Sequence, residues 1–577
     1  MRRCPECGRE YDLTMSFCLD DGAELLYGPA KSEPPGSAGG RFDEPQTAIL
    51  HVTDAVGDAP TRAQIHTTEK TAILPSGVAD VVKAKGIDKR LLLAPLALAV
   101  IILGGFFGYR YFSPAKQINS IAVMPFENRN SDDDTDYLSD GLAESLIFRL
   151  TQIPDLKVSP TSSVMRYKGK ETDVAKIAGE LGVDAVMTGR LTKRGDNLNI
   201  TVELVDARTN KSLWGEQYER KLSELLTTQR EMVSEIVSKL QLKLSGESEQ
   251  RLAKKYTAND EAYQLYLRGR FHWSKRTDDE YRKAVDAYRR AIALDPNFAL
   301  AYVGIADIYN SMGKDPVVAP KDCVPLAKDA AMQALKIDPT LAEAHAALAD
   351  SVAIFDWDWS LSEAEFKRAR ELDPNVSYIH LASSSSYFAP MKRADEMLAE
   401  MNRALELEPL SLINNSVMVT GYLYARQNDK ALQQARKAHD LDPNFRIAYH
   451  WLGLAYIANN MYDDAVKLGD EGLQKWPNNP EMLFVVGQAC AKSGRRDQAE
   501  QYIGKIRDVS KSQYVRTYWL ACIYAALDDK DKAFAELERS YQDKDCFLPR
   551  ANIDPAMDPL RNDARFKDLM KRMGLPE

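Results

Sequence analysis

Residues 446–477 read RIAYHWLGLAYIANNMYDDAVKLGDEGLQKWP. Tyr449, Leu452, Gly453 and Tyr456 recur at intervals of three and four, the spacing of one helix face. In the second half Ala465 and Gly472 are small, so a second helix can cross the first closely. Pro477 closes the stretch, because proline lacks an N–H and cannot continue a helix. The stretch therefore predicts two helices packed side by side.

The pattern recurs. Pro296, Pro339, Pro374, Pro409, Pro443 and Pro477 are spaced by 43, 35, 35, 34 and 34 residues, and five of the six follow an acidic residue. Asn297, Asn375, Asn444 and Asn478 are placed to cap the helix that comes next. Ala431 and Ala438 precede Ala465 and Gly472 by 34 residues, and Ala499 and Ala533 carry the period onward. On these residues the chain resembles the tetratricopeptide-repeat family over roughly 257 to 545. The resemblance implies an all-α solenoid of some eight helix pairs. The longer gap between Pro296 and Pro339, with Pro316 and Pro320 inside it, reads as a loop insertion. The segment from Asp558 to Gly574 reads as a capping helix with Leu560, Phe566 and Leu569 facing inward, which extends the solenoid over 257–577.

In arrays of this family the first helix of each pair lines the concave face. His450 and Leu454 lie one turn apart on the side of their helix that Tyr449, Leu452, Gly453 and Tyr456 leave free. They are candidate contacts for a protein or peptide partner. Arg268, Arg270 and Trp273 belong to YLRGRFHWSKR (266–276), which opens the array. That stretch reads either as an anion- or peptide-binding patch or as a surface that caps the first repeat against the preceding domain. FDWDW (355–359) sits between the helices of the third pair. Cys490 and Cys522 fall on packing helices, and spacing leaves open whether they, Cys323 or Cys546 form disulfides.

Upstream, IAVMPF (121–126) reads as a buried strand. Leu138, Leu142, Leu146 and Leu150 mark a helix, and Leu198, Ile200, Val202 and Leu204 alternate as a strand does. A helix over Leu222–Leu244 closes a compact α/β domain expected over 117–245. IAVMPFENRN, YLSDGL, VSPTSSVMRYKGK, ELGVDAVMTGRL and LWGEQYER resemble the TolB amino-terminal-like domain of bacterial multidomain proteins. That resemblance implies an interaction domain outside the cytoplasm, not an enzyme. Asp132, Asp133, Asp134 and Asp136 fail the calcium-loop pattern, since Tyr137 and Ala143 replace its glycine and glutamate. They read as a solvated loop before the helix, with Ser139 or Asp140 near its N-terminus.

LLLAPLALAVIILGGFFGY (91–109) carries no charge and, at about 1.5 Å per residue, matches a bilayer core. A single transmembrane helix is expected over 91–112. Lys83, Lys85, Lys89 and Arg90 precede it, against Arg110 and Lys116 after it, which places the N-terminus in the cytoplasm. The C-terminal domains then lie periplasmic or extracellular to a bacterial inner membrane. Gly104 and Gly108 would permit a homodimer contact in lipid.

The first residues contain Cys4-Pro5-Glu6-Cys7-Gly8 and Cys18-Leu19-Asp20-Asp21-Gly22. Two thiolates three positions apart, a third thiolate and the carboxylate of Asp21 make a tetrahedral set for one structural zinc ion. The segment, 1–27, resembles the short zinc-ribbon that opens many bacterial membrane proteins. Residues 28–90 are rich in Pro, Gly, Ser, Thr and Ala and read as a disordered cytoplasmic linker. In it Thr47-Ala48-Ile49-Leu50 recurs as Thr71-Ala72-Ile73-Leu74, either a docking motif for a cytoplasmic partner or a chance duplication.

A chain of 577 residues is too long for one core. Its formal net charge of −9 argues against a nucleic-acid binder. No phosphate-cradling glycine loop, nucleophile elbow or H-E-x-x-H pair occurs. The sequence thus predicts a non-enzymatic, membrane-anchored interaction protein, acting as a signalling adaptor or as a static envelope scaffold.

Overall fold

The computed structural model describes Arg2–Arg3, Glu10–Tyr11 and residues 118–576, other than 131–132, 154–155, 171–172 and 243. Residues 1–101 and 102–577 form two separate units. In the first, strand β1 (Arg2–Arg3) pairs antiparallel with β2 (Glu10–Tyr11), Arg2 opposite Tyr11. Cys4, Cys7, Cys18, Asp21, Thr47, Thr71, Gly104, Gly108 and the whole 91–112 stretch lie outside the described residues. Among the described residues no helix is long and apolar enough to cross a membrane.

The second unit begins with a mixed sheet built from β3 (Ser120–Val123), β4 (Glu127–Asn128), β5 (Lys157–Val158), β6 (Ala185–Arg194), β7 (Asn197–Asp206) and β8 (Lys211–Lys221). The order is β5-β3-β6-β7-β8, with β4 also against β6. β3 runs parallel to both neighbours, and Ile121, Ala122 and Val123 are fully buried, as expected of a parallel central strand. β6, β7 and β8 form an antiparallel meander. In β8 Trp214 and Tyr218 are buried, four residues apart on one face, while Leu213 points out and is exposed. The expected loop before the first helix is not one. The helix spans Asp133–Thr151 and so takes in positions 133, 134 and 136, while Asp132 lies outside the described residues. Asp140 lies within it and pairs with Lys168 at 2.7 Å. The closing helix is shorter than expected, Leu225–Lys239, and the chain turns through Gln241 at φ 53°.

Eight antiparallel helix pairs follow among the described residues. In chain order they are Asp260–Ser274 with Asp278–Leu294, Ala299–Lys314 with Pro320–Ile337, and Ala342–Ser351 with Trp359–Leu372. Next come Ser377–Ser383 with Ala394–Leu407, Leu412–Tyr424 with Asn428–Leu441, and Arg446–Ala458 with Tyr462–Lys475. Pro480–Lys492 with Arg496–Val509 and Thr517–Ala526 with Lys530–Gln542 complete the set. This is a helical solenoid of tetratricopeptide type. The expected insertion is absorbed mainly into the two longer helices of the second pair, with only 315–319 between them. The asparagines after the prolines do not cap as expected, except that Asn479, one place on, accepts from Met482 N. Instead the aspartates before Pro296, Pro374 and Pro443 accept the N–H two residues on, from Asn297, Asn375 and Asn444. These are Asx turns, which hold the bend between repeats.

The array closes on itself. After the eighth pair, short 3-10 turns (Leu548–Asn552, Pro555–Leu560) and the helix Ala564–Arg572 run back across earlier repeats. Asn552 Nδ2 donates to Pro390 O at 3.0 Å, and Trp359 Nε1 donates to Met573 O at 2.7 Å. Arg516, at the start of the eighth pair, donates to the carbonyls of Gly313 and Lys314 in the second. The expected capping helix is thus also a clasp, with Leu560, Phe566 and Leu569 buried as anticipated. All four cysteines of the array are buried and free.

Candidate functional site

The first helices of the pairs face a shared interior cavity of about 1410 Å³. One wall comes from the α/β domain: the helix at Thr161–Val164 and the residues just before it reach the array, where Ser162 Oγ donates to Glu408 Oε2 at 3.1 Å. The first repeat is welded to the same domain. A Cβ on Gly141 would stand 2.9 Å from Leu267, so only glycine lets the two helices approach this closely. Tyr263 donates to Gln229 at 2.7 Å and also contacts Ser145, a buried polar triad across the seam.

Arg268 and Arg270 are spent on this seam. The Arg268 guanidinium lies 4.6 Å from the ring centre of Tyr137, and Arg270 Nε donates to Glu144 at 2.9 Å. Trp273 sits between Arg270 and Arg276, and it lines the cavity together with Arg270. The basic, aromatic opening of the array is therefore a surface built against the preceding domain that also forms part of the cavity wall.

His450 is not on a free, exposed side. It is 5% exposed, set among Trp451, Phe484 and Trp519 with ring centres 4.8 to 5.9 Å away. The helix phase expected from Tyr449 and Leu452 leaves it pointing into the array's interior, which the superhelix has closed over. Burial, with Arg446 and Arg516 nearby, pushes its pKa down to about 3, so the ring is neutral. Leu454 is half-buried, packed against the same cluster.

Carboxylates face the cavity from the second and third repeats. Asp307 is raised to about 7 by burial, helped by Glu343 and Asp350 and opposed by Arg270 and Lys314. Glu343 is likewise raised to about 7, chiefly by burial. Sequence reasoning missed both. Their only signal was an acid at an otherwise apolar first-helix position, in AYVGIADIY and LAEAHAALAD.

Residues 116–236 match the family model described as the second domain of HilA/YgeH-like transcriptional regulators. Over 260 residues the chain is 30% identical to "Putative adenylate cyclase 3" of Rhizobium meliloti, covering 44% of this chain and 42% of that protein. Over 397 residues it is 19% identical to the transcriptional regulator HilA of Salmonella typhimurium, covering 68% of this chain and 64% of that one. A TPR repeat-containing protein of Bacillus subtilis, YpiA, is 23% identical over 117 residues, 20% of this chain and 28% of its own. The chain spans less than half the length of the cyclase-named relative. Tetratricopeptide arrays mediate protein–protein interaction, and this chain carries one.

Proposed function

We propose that the chain is a non-enzymatic, membrane-anchored adaptor whose repeat array and TolB-like domain act together as an input module for a protein or peptide partner. The observation that carries it is the joint wall: the α/β domain and the first helices of the array enclose one cavity, so an occupant would touch both. Two relatives bear names of different outputs, a cyclase and a transcription regulator, which suits an input module combined with varied effectors. In this chain the cytoplasmic end would be the zinc-ribbon and linker. The paired strands β1 and β2, which bracket Cys4 and Cys7 in sequence, support a ribbon there.

The test uses the full-length chain, cross-linked in cells and isolated beside a Val417→Glu variant. Val417 is a half-buried residue of the cavity wall. Partners captured by the native chain and lost in the variant, and changing with growth condition, are the expected result. One constant stoichiometric partner would favour the scaffold. Identical capture by both chains would sink the cavity as the partner site.

A further inference from the structure

The end of the cavity under the clasp differs from the rest. Arg550 is 5% exposed, and among the described residues it forms no ion pair: Asp554, which like it faces Tyr424, accepts from the Tyr518 hydroxyl at 2.9 Å and from Ala556 N at 2.8 Å. Its neighbours are the Phe547 ring, 4.0 Å away, and the Tyr424 hydroxyl. The other buried arginines here are matched, Arg516 to Asp545 at 3.1 Å and Arg446 to Glu481. A buried guanidinium with no direct ion-pair partner is costly, and proteins keep such groups where an anion arrives to meet them. A second observation agrees. His450 Nδ1 and Arg516 Nε are buried and, among the described residues, have no hydrogen-bond partner.

These groups share one apolar frame. Trp519 stacks on Phe484 at 5.4 Å and lies 5.9 Å from His450 and 5.6 Å from the Arg516 guanidinium. Phe547 lies 3.8 Å from Arg516. The frame is sealed behind by the clasp, where Leu548, Ala551 and Asn552 are 1% exposed or less. No peptide could thread through it.

We infer that this end binds a small organic acid, its carboxylate against Arg550, Arg516 and His450 and its planar body among Trp451, Trp519 and Phe547. One unmatched cation calls for a monoanion; a phosphate dianion would be left half uncompensated. The neutral imidazole supplies an N–H and no second positive charge. This site is independent of the partner reading: cross-linking can fail while acid binding stands, and the reverse.

The full-length chain in detergent micelles is titrated by calorimetry with indole-3-acetate and with its uncharged twin, indole-3-acetamide, against blank micelles. One saturable site for the acid is expected, with the amide at least tenfold weaker. Arg550→Met should weaken the acid at least tenfold while raising the melting temperature of the ligand-free chain, because it removes an uncompensated charge. A His450→Phe variant keeps the ring packing and removes the N–H, and should weaken the acid several-fold even where Arg550→Met does not fold. Absence of a saturable site, equal affinity for acid and amide, or unchanged affinity in both variants would overturn the inference.

Discussion

At Gly453 an added Cβ would stand 2.5 Å from Val485 Cγ1, and valine, branched at Cβ, has no other comfortable rotamer. At Gly472 the added atom would meet the end of the flexible Met482 side chain, also at 2.5 Å. Gly453→Ala should therefore cost about 1–3 kcal/mol, and Gly472→Ala clearly less, read as urea midpoints. Equal costs would mean that the helices shift as rigid bodies. Both glycines were legible from spacing, because close helix crossing is a local rule. His450 was not, because its burial depends on Trp519 and on a closure nearly a hundred residues away. Asp307 makes a pH prediction at the same scale. Its folded pKa, about 7, lies above the unfolded value near 3.8, so the folded chain holds its proton more tightly. Stability is then greatest at acid pH, falls as pH rises through roughly 4 to 7, and is flat above. Asp307→Asn removes this loss. Its melting temperature relative to the native chain should be higher at pH 8 than at pH 5, by up to roughly 1.4 kcal/mol in stability for each unit crossed. A difference that does not change with pH would assign the group elsewhere.

Between elements, the period explains more than the helix count. The two 35-residue spacings, from Pro339 to Pro374 and on to Pro409, belong to the pairs whose first helices end in π turns, Val352–Asp356 and Ser384–Phe388. A π turn holds one residue more, so the extra residue widens a helix and leaves the register of the array intact. The inter-helix turns use left-handed residues at Lys392, Arg426, Asn460, Gly494 and Asp528, each 34 after the last. That repeat was invisible as a motif because only the conformation recurs and the residue type does not. The clasp was half legible: its apolar face could be read, its docking site could not, since nothing in Leu560 or Phe566 names Trp359 or Pro390 as a neighbour. Deleting residues 554–577 removes the Trp359–Met573 and Asn552–Pro576 hydrogen bonds. Amides of 352–361 and 384–393 should then exchange faster, while those of Arg446–Ala458 keep their protection. Uniform loss across the array would show that it opens as one unit. For the N-terminal ribbon, residues 1–27 should bind one zinc ion under reducing conditions, with Cys7→Ser losing it; a metal-free native segment would rule out Cys4, Cys7, Cys18 and Asp21 as ligands.

Over the whole molecule, orientation decides which solution each end meets. The uncharged stretch 91–109 has four basic residues just before it, Lys83, Lys85, Lys89 and Arg90, and two after, Arg110 and Lys116. Basic side chains stay on the cytoplasmic side of short flanks, so the ribbon with its thiols would sit in a reducing compartment and the array outside. The array's own cysteines are consistent with an external position only because they are buried: burial pushes Cys323 up to about 12 and Cys522 well above its usual value, so neither is a ready thiolate. A reporter that works only outside the cytoplasm, fused after Glu577, should be active, and the same reporter placed before Met1 should be silent. The opposite pattern would put the array in the cytoplasm. Activity at both ends would mean that residues 91–109 do not cross a membrane at all.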